Sequence, residues 1–300
     1  RGGRQLSAEA RRGLVLSVES GRFTVESGDN TFFCRSGTRV RKSEGRLVAG
    51  DRVLFSVGET GEGFITDIEP RKNRLTRPPA ANIDLLAIAV APREPQPYLY
   101  NIDLLTVIAQ KHGIECAIIL TKCDLGGGER ILDIYSRTPY PVIATGTGEG
   151  SGIVQAKDLL RGKICVLCGA SGVGKSTLIN RMYGELNLKT GELSARISRG
   201  KNTTRTTRLF PLGEGTYLAD TPGFTALDIM QYADIRHEEL FGLFPEFAPY
   251  FGGCRYPDCT HTKETECAIL DSVKNGIISE SRYESYKKLY AELKSIDRYK

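Results

Sequence analysis

The sequence has no tryptophan, two methionines and only three histidines among its 300 residues. It also has no apolar run near the ~20 residues that a helix needs to cross a bilayer, which excludes a bundle of membrane-spanning helices. The opening residues, RGGRQLSAEARRG, lack the apolar core of a signal peptide, so a cytoplasmic location without a membrane partner is expected. Nothing marks the chain as secreted. Its eight cysteines are therefore read as small core residues where they are scattered and as metal ligands where they cluster with histidine.

What is present is the composition of an ordinary globular chain, with 40% apolar and 26% charged residues and enough length for two or three cores. The net charge of +5 is unevenly placed. Residues 1–80 carry 15 Lys and Arg against 10 Asp and Glu, while the other 220 residues balance at 26 of each. A basic amino-terminal segment points to a polyanionic partner, although a merely solvated basic face gives the same count.

Five short strand patterns fill residues 13–68, at Gly13–Val18, Arg22–Glu26, Thr31–Arg35, Arg52–Val57 and Gly63–Ile68, separated by glycine-containing turns. That density suits a small Greek-key barrel of the OB type. A basic linker, Arg71-Lys-Asn-Arg-Leu-Thr-Arg77, ends in two prolines. Beyond it, wholly apolar strands at Asp84–Ala91, Glu115–Leu120, Pro141–Ala144 and Lys163–Leu167 alternate with helical patterns near Tyr98–His112, Glu129–Ser136 and Gly152–Leu160. Strands without a polar face, spaced by helices, predict a parallel sheet covered on both sides.

The strongest motif follows the last of these strands. Gly169, Ala170, Ser171, Gly172, Val173, Gly174, Lys175, Ser176 and Thr177 fit the phosphate loop G-x-x-x-x-G-K-[ST], placed between a strand and a helix as the chemistry requires. Successive backbone N–H groups at the start of a helix can surround phosphates. Lys175 would reach the β- and γ-phosphates, and Ser176 would give its hydroxyl to Mg²⁺. Two weaker elements select GTP. Asp220-Thr-Pro-Gly223 fits D-x-x-G, with Asp220 orienting Mg²⁺ and Gly223 sensing the γ-phosphate. Thr121, Lys122, Cys123 and Asp124 fit [NT]-K-x-D, in which the carboxylate accepts from the two N–H groups that guanine presents and adenine does not. All three elements end apolar strands, where ligands bind in open α/β sheets. Their order is reversed from that of an ordinary GTPase: Asp124 precedes Gly169, with Ala144 and Thr145 between them where a Ser-Ala guanine contact would stand. A circular permutation keeps the strand ends in place and so keeps the site.

Near the carboxyl terminus Cys254, Cys259, His261 and Cys267 fall within 14 residues. Three Cys and one His complete a tetrahedral set with no open position, the pattern of a single structural zinc. The density excludes coincidence, since the window takes three of eight cysteines and one of three histidines. Cys34, Cys116, Cys165 and Cys168 lie in predicted strands and read as core residues. Tyr283, Tyr286, Tyr290 and Leu293 form a helical stripe expected to pack on the domain.

Together these motifs resemble the circularly permuted, small-subunit-dependent GTPases of bacterial ribosomes. The resemblance runs from Gly13 to about Arg298 and includes RKNRLTRP, TGEG, RGKNTTRTTRLFPL, DTPGF and ESRYESY. It implies an OB-fold β-barrel that binds RNA at residues 1–77, a permuted α/β P-loop GTPase domain at 78–230, and a small α-helical zinc-binding domain at 231–300. The implied activity is hydrolysis of GTP to GDP and phosphate with Mg²⁺, during maturation of the small ribosomal subunit. The implied partners are GTP, GDP, the subunit and its rRNA, and the chain is expected to be a monomer. The resemblance also makes Thr203 or Thr204 the switch threonine that senses Mg²⁺, with no basis for choosing between them. Asn202 and Arg205 stand where the family has His and Thr, and Phe224 stands where Ras-like enzymes carry a water-orienting Gln. The competing readings are a GTP-dependent RNA-binding switch without turnover and a GTPase that acts on tRNA or translation.

Overall fold

The computed structural model describes residues 10–37, 40, 46–76, 79–146, 148, 152–184, 207–220 and 235–297. Packing divides the chain into two compact units. One comprises Arg1–Leu85, Leu160–Leu167 and Asn187–Gly223, and the other Leu86–Leu159, Cys168–Leu186 and Phe224–Lys300.

In the first unit, β1 (Arg11–Glu19), β2 (Arg22–Ser27), β3 (Asn30–Ser36), β4 (Arg52–Val57) and β5 (Gly63–Ile68) match the five strands read from the sequence. β1 pairs antiparallel with both β2 and β4, β3 pairs parallel with β5, and β5 returns to β4, so the ring closes as an OB-type barrel. Alternation along each strand sends Val15, Phe23, Val25, Cys34, Val53, Phe55 and Ile65 inward to one core. The close β3–β5 approach depends on Gly63, since a Cβ there would sit 2.3 Å from Cys34 Sγ.

The basic linker is partly structural. Arg71 donates from Nε to Asp51 Oδ1 at 2.6 Å and from Nη2 to Asp51 Oδ2 at 2.9 Å, and the Asp51 side chain is fully buried. A bidentate pair of this kind is charge-assisted and geometrically exacting, and it fastens the linker to the barrel. Asn73 donates to Ile83 O and accepts from Ile83 N, and β6 (Arg74–Leu75) pairs with β7 (Ala80–Ala81). The same unit holds β11 (Ile164–Cys168), parallel to β13 (Thr216–Asp220), with β12 (Arg208–Gly213) antiparallel to β13 and bridged to β1 at Ser17 and Arg208.

In the second unit, β9 (Glu115–Leu120) lies between β8 (Leu85–Val90) and β10 (Val142–Ala144), with β9 and β10 parallel. The wholly apolar strands are buried along nearly their whole length, as expected of strands covered on both faces. The helices are α1 (Leu99–Lys111), α2 (Glu129–Tyr135), α3 (Ile153–Leu160), α4 (Lys175–Tyr183), α5 (Ala268–Lys274) and α6 (Glu280–Asp297), with 3-10 segments at His237–Leu243 and Pro245–Tyr250. Of the predicted α6 stripe, Tyr283, Tyr286 and Leu293 are buried and Tyr290 is half-buried, with Leu289, which the stripe did not include, buried beside them. Tyr286 meets Phe244 and Phe247 with ring centroids 5.4 and 5.2 Å apart.

One side chain joins α6 to α1. Arg282 is fully buried and donates to Glu246 Oε1 at 2.7 Å, to Asp103 Oδ1 at 2.8 Å and to Thr106 Oγ1 at 2.9 Å. Its guanidinium lies 4.6 Å from the centre of the Phe244 ring, and the Tyr135 hydroxyl also donates to Asp103 Oδ1.

Candidate functional site

The phosphate loop folds as its glycines require. Gly169 has φ 140° and Gly174 has φ 101°, conformations that side chains rarely tolerate. A Cβ on Gly169 would lie 2.4 Å from Ala89 O, so the first residue of the loop runs hard against β8. The chain then enters α4 at Lys175, with Leu178, Ile179 and Met182 buried beneath it. Lys175 Nζ donates to Gly169 O at 2.8 Å and to Ala170 O at 2.9 Å. Burial lowers its pKa from the usual lysine value, yet two carbonyl partners favour the charged form. Ser176 follows it on the first turn of α4, and Ala170, Ser171, Gly172 and Thr177 are exposed along the loop.

The guanine-type motif is strapped to this loop. Thr121 Oγ1 donates to Val173 O at 2.5 Å, and Lys122 Nζ donates to Gly172 O at 2.8 Å and to Glu94 O at 2.7 Å. Thr121 has no asparagine amide, yet its hydroxyl reaches the phosphate loop. Lys122 adopts a left-handed φ of 56° and leads into a 3-10 turn, Cys123–Leu125, that leaves Asp124 exposed. Strand β10 supplies the opposite wall. Cys123 N donates to Thr145 O at 3.0 Å, and Thr145 Oγ1 donates to Leu120 O at 2.8 Å. A Cβ on Gly146 would sit 3.1 Å from Asp124 Oδ1. Ala144 is exposed and Thr145 buried beside that turn.

Three chain segments that are distant in sequence, 121–124, 144–146 and 169–177, therefore meet at one edge of the second unit. Sequence reasoning missed two contributors, the carbonyl of Glu94 and the small residue Gly146. A backbone carbonyl leaves no sequence signal, whereas Gly146 could have been flagged by its place directly after Thr145. Thr203, Thr204 and Gly223, with Asn202, Arg205 and Phe224, lie outside the described residues. Asp220 ends β13 in the first unit.

The second constellation is Cys254, Cys259, His261 and Cys267, whose ligand atoms lie within 4.8 Å of one another. His261 Nδ1 is 3.4 Å from Cys254 Sγ, 3.5 Å from Cys259 Sγ and 3.4 Å from Cys267 Sγ, and the sulfurs of Cys254 and Cys267 are 3.9 Å apart. A tetrahedral ion with bonds of about 2.3 Å to sulfur and about 2.0 Å to nitrogen has edges of about 3.8 Å (S–S) and about 3.5 Å (S–N). The four side chains thus fit one closed four-coordinate metal site. Burial lowers the His261 pKa, which keeps the imidazole in the neutral form that a metal needs. Glu264 braces the loop by accepting from Thr260 Oγ1 at 2.8 Å and from the backbone N–H groups of Thr260 and Thr262. Cys34, Cys116, Cys165 and Cys168 are buried in strands. Burial raises the Cys168 pKa well above its usual value, so that thiol stays protonated beneath the phosphate loop.

The family model described as RsgA GTPase matches residues 68–230. The chain belongs to the RsgA GTPase family. Its relatives extend the match well beyond that domain. A protein of Thermotoga petrophila named small ribosomal subunit biogenesis GTPase RsgA is 38% identical over 291 residues, covering 94% of this chain and 97% of its own. A Moorella thermoacetica protein of the same name is 39% identical over 283 residues, with the same coverage. Among solved structures, YjeQ from Thermotoga maritima is 35% identical and superposes with a TM-score of 0.78 over 95% of this chain and 99% of that one. YloQ, described as a circularly permuted GTPase, shares the fold with a TM-score of 0.78 over 98% of this chain and 99% of that one, at 24% identity. As a member of the RsgA family this chain is a GTP hydrolase, built from an OB-like barrel, a GTPase domain whose motifs run in permuted order, and a Cys/His cluster able to hold a metal.

Proposed function

We propose that this GTPase uses its nucleotide state to control engagement with the small ribosomal subunit while that particle matures. The observation that carries the reading is the joined site itself: Thr121 and Lys122 bind the phosphate loop directly, so Asp124 and Lys175 address the two ends of one guanine nucleotide. The names of the near full-length relatives support the ribosomal partner. In this reading residues 1–77 bind RNA, residues 78–230 bind and cleave GTP, and residues 231–300 are organised by one zinc at Cys254, Cys259, His261 and Cys267. The chain works as a cytoplasmic monomer, and among the described residues no helix is long and apolar enough to cross a membrane.

Each site residue has a role in this scheme. Asp124 accepts from guanine, the Lys122 stem covers the base, and Cys123, Ala144 and Thr145 frame it. The backbone of Gly169, Ala170, Ser171, Gly172, Val173 and Gly174 surrounds the phosphates, which Lys175 neutralises and Thr177 borders at the first turn of α4. Ser176, Asp220 and Thr203 or Thr204 would hold Mg²⁺, which when bound spreads the charge developing on the phosphoryl oxygens. Gly223 reports the γ-phosphate. Phosphoryl transfer asks little covalent chemistry of the protein, so positioning and charge neutralisation account for the rate.

Asp124→Asn is the test of base selection. The amide cannot accept from both guanine N–H groups, so GTP affinity should fall by about 2–3 kcal/mol, roughly 30- to 150-fold. Xanthosine triphosphate, whose C2 carbonyl can accept from the new amide, should gain. Calorimetric titration giving equal GTP affinity in the two proteins would remove Asp124 from the site.

The ribosomal part is tested by single-turnover hydrolysis. Phe224 cannot orient water and the neutral Asn202 amide is a poor base, so the isolated protein should be slow, on the order of 10⁻³ s⁻¹ or below as for unassisted Ras-type enzymes. Purified small subunits should raise the rate at least tenfold, whereas tRNA or large subunits should leave it unchanged. A fast isolated enzyme indifferent to small subunits would overturn the proposal.

A further inference from the structure

The outer face of the barrel carries two large apolar side chains that its core does not use. Phe33 is 69% exposed and Phe64 is 49% exposed. Along β3, Cys34 joins the core and Phe32 packs on Phe55 with centroids 5.3 Å apart, so Phe33 and Arg35 take the outward positions. Along β5, Gly63 and Ile65 turn inward and Phe64 outward. The parallel register places Arg35 beside Phe64, and the antiparallel register places Thr24 of β2 beside Phe33. Phe33 and Phe64 are therefore diagonal neighbours. Strand spacing and a two-residue rise set their Cα atoms about 8 Å apart. Arg22, two residues before Thr24 on β2, is exposed on the same outward alternation. Arg35 is paired with Glu62 at 2.7 Å, but both side chains are about half exposed or more, and so open a pair is weak enough for a phosphate to displace the carboxylate.

This patch has the chemistry of a base-stacking platform. Every nucleobase offers a π-face to an aromatic ring, and a guanidinium fork fits phosphate oxygens. A protein partner would accept the rings equally well, but two exposed arginines, Arg22 and Arg35, stand on the same outward face as the rings and favour a polyanion. Bases within a duplex already stack on one another, so only an unpaired strand can present free faces.

We propose that the β2–β3–β5 face of the barrel binds single-stranded RNA, with bases stacked on Phe33 and Phe64 and the flanking phosphates held by Arg22 and Arg35. The inference rests on, and narrows, the reading of residues 1–77 as an RNA-binding barrel. Both rings project from the surface, so replacing them leaves the core intact, and unchanged thermal melting should confirm this.

The experiment is fluorescence anisotropy of the full-length protein with a labelled oligouridine and with an RNA duplex of equal length, at two salt concentrations. Phe33→Ala and Phe64→Ala should each weaken oligouridine binding at least fivefold, from the known contribution of one aromatic ring to stacking. The paired variant should lose roughly 25-fold or more, with the salt dependence unchanged. Phe33→Tyr should retain binding, because stacking tolerates any flat ring. Arg22→Ala with Arg35→Ala should weaken binding and flatten the salt dependence by about two phosphate contacts. If the arginine variants lose affinity and the phenylalanine variants do not, stacking is overturned while the RNA-binding barrel stands. If neither set changes affinity, RNA is held elsewhere and the proposal is overturned; if the parent protein binds neither oligonucleotide, the RNA-binding reading of the barrel falls with it. Equal loss on duplex and single strand would also overturn the proposal.

Discussion

Stripping the metal with a chelator is expected to unfold residues 251–267 while leaving GTP binding within about twofold of the untreated protein. This stretch contains no regular secondary structure, and of its residues only Cys267 is buried. The segment has no apolar core of its own, so a metal held by the four ligands would supply its folding energy. Structural zinc contributes on the order of 10 kcal/mol or more to such modules, enough to decide between ordered and unfolded. Elemental analysis should find about one zinc per chain, since four ligands close a single site. Cys259→Ala should reproduce the chelated state. The readout is hydrogen exchange, with protection lost across 251–267 and retained in α4 and β9. A metal-free preparation that keeps full protection there would show that the segment folds without metal.

Helix α6 should respond differently, because another device holds it. Arg282→Met is expected to destabilise the second unit by about 3–5 kcal/mol, the range seen when one member of a buried ion pair is removed. The substitution leaves the carboxylates of Asp103 and Glu246, 1% and 5% exposed, without a counter-charge. The cause is the stranded charge rather than a lost attraction, and this makes a second result obligatory. Adding Asp103→Asn and Glu246→Gln to Arg282→Met should recover much of the loss, since apolar or neutral replacements of a whole buried cluster are often nearly neutral. Urea midpoints of the single and triple variants separate the two explanations. A single variant within 1 kcal/mol of the parent would show that Arg282 is a passenger in a core held by Phe244, Phe247 and Tyr286.

The Arg282 cluster also shows where sequence reading stops. The strands of the barrel and sheet were legible because each keeps one simple rule, alternation in β1–β5 and unbroken apolarity in β8, β9 and β11. The phosphate loop and the Cys/His set were legible because their residues lie within a few positions of one another. β12 was not read as a strand, since Pro211 interrupts its pattern, and the two-residue strands β6 and β7 are too short to show a period. Arg282 sat unremarked within ESRYESY because its partners Asp103 and Glu246 are 179 and 36 residues away. In the linker, Arg71 counted toward the basic surface, yet it is consumed by Asp51 inside the barrel. Charge counts cannot distinguish a solvated arginine from a buried one. In the same way, [NT]-K-x-D carries an expectation for Asp124 but does not say where Lys122 goes. Its ammonium ends on the carbonyls of Gly172 and Glu94, a choice made by tertiary structure alone.

The bonds from Thr121 and Lys122 to the phosphate loop also bear on how strongly a whole nucleotide binds compared with its parts. The turn proposed to read the base and the phosphate loop form one frame, so the distance between them is set before any ligand arrives. Guanosine and pyrophosphate, offered separately, would each lose their translational freedom for half of the contacts. Joined covalently at the spacing the frame expects, the second half binds at a high effective concentration and adds little further entropic cost. Lys122→Met should therefore weaken GTP far more than it weakens guanosine, a penalty on the linkage rather than on either end.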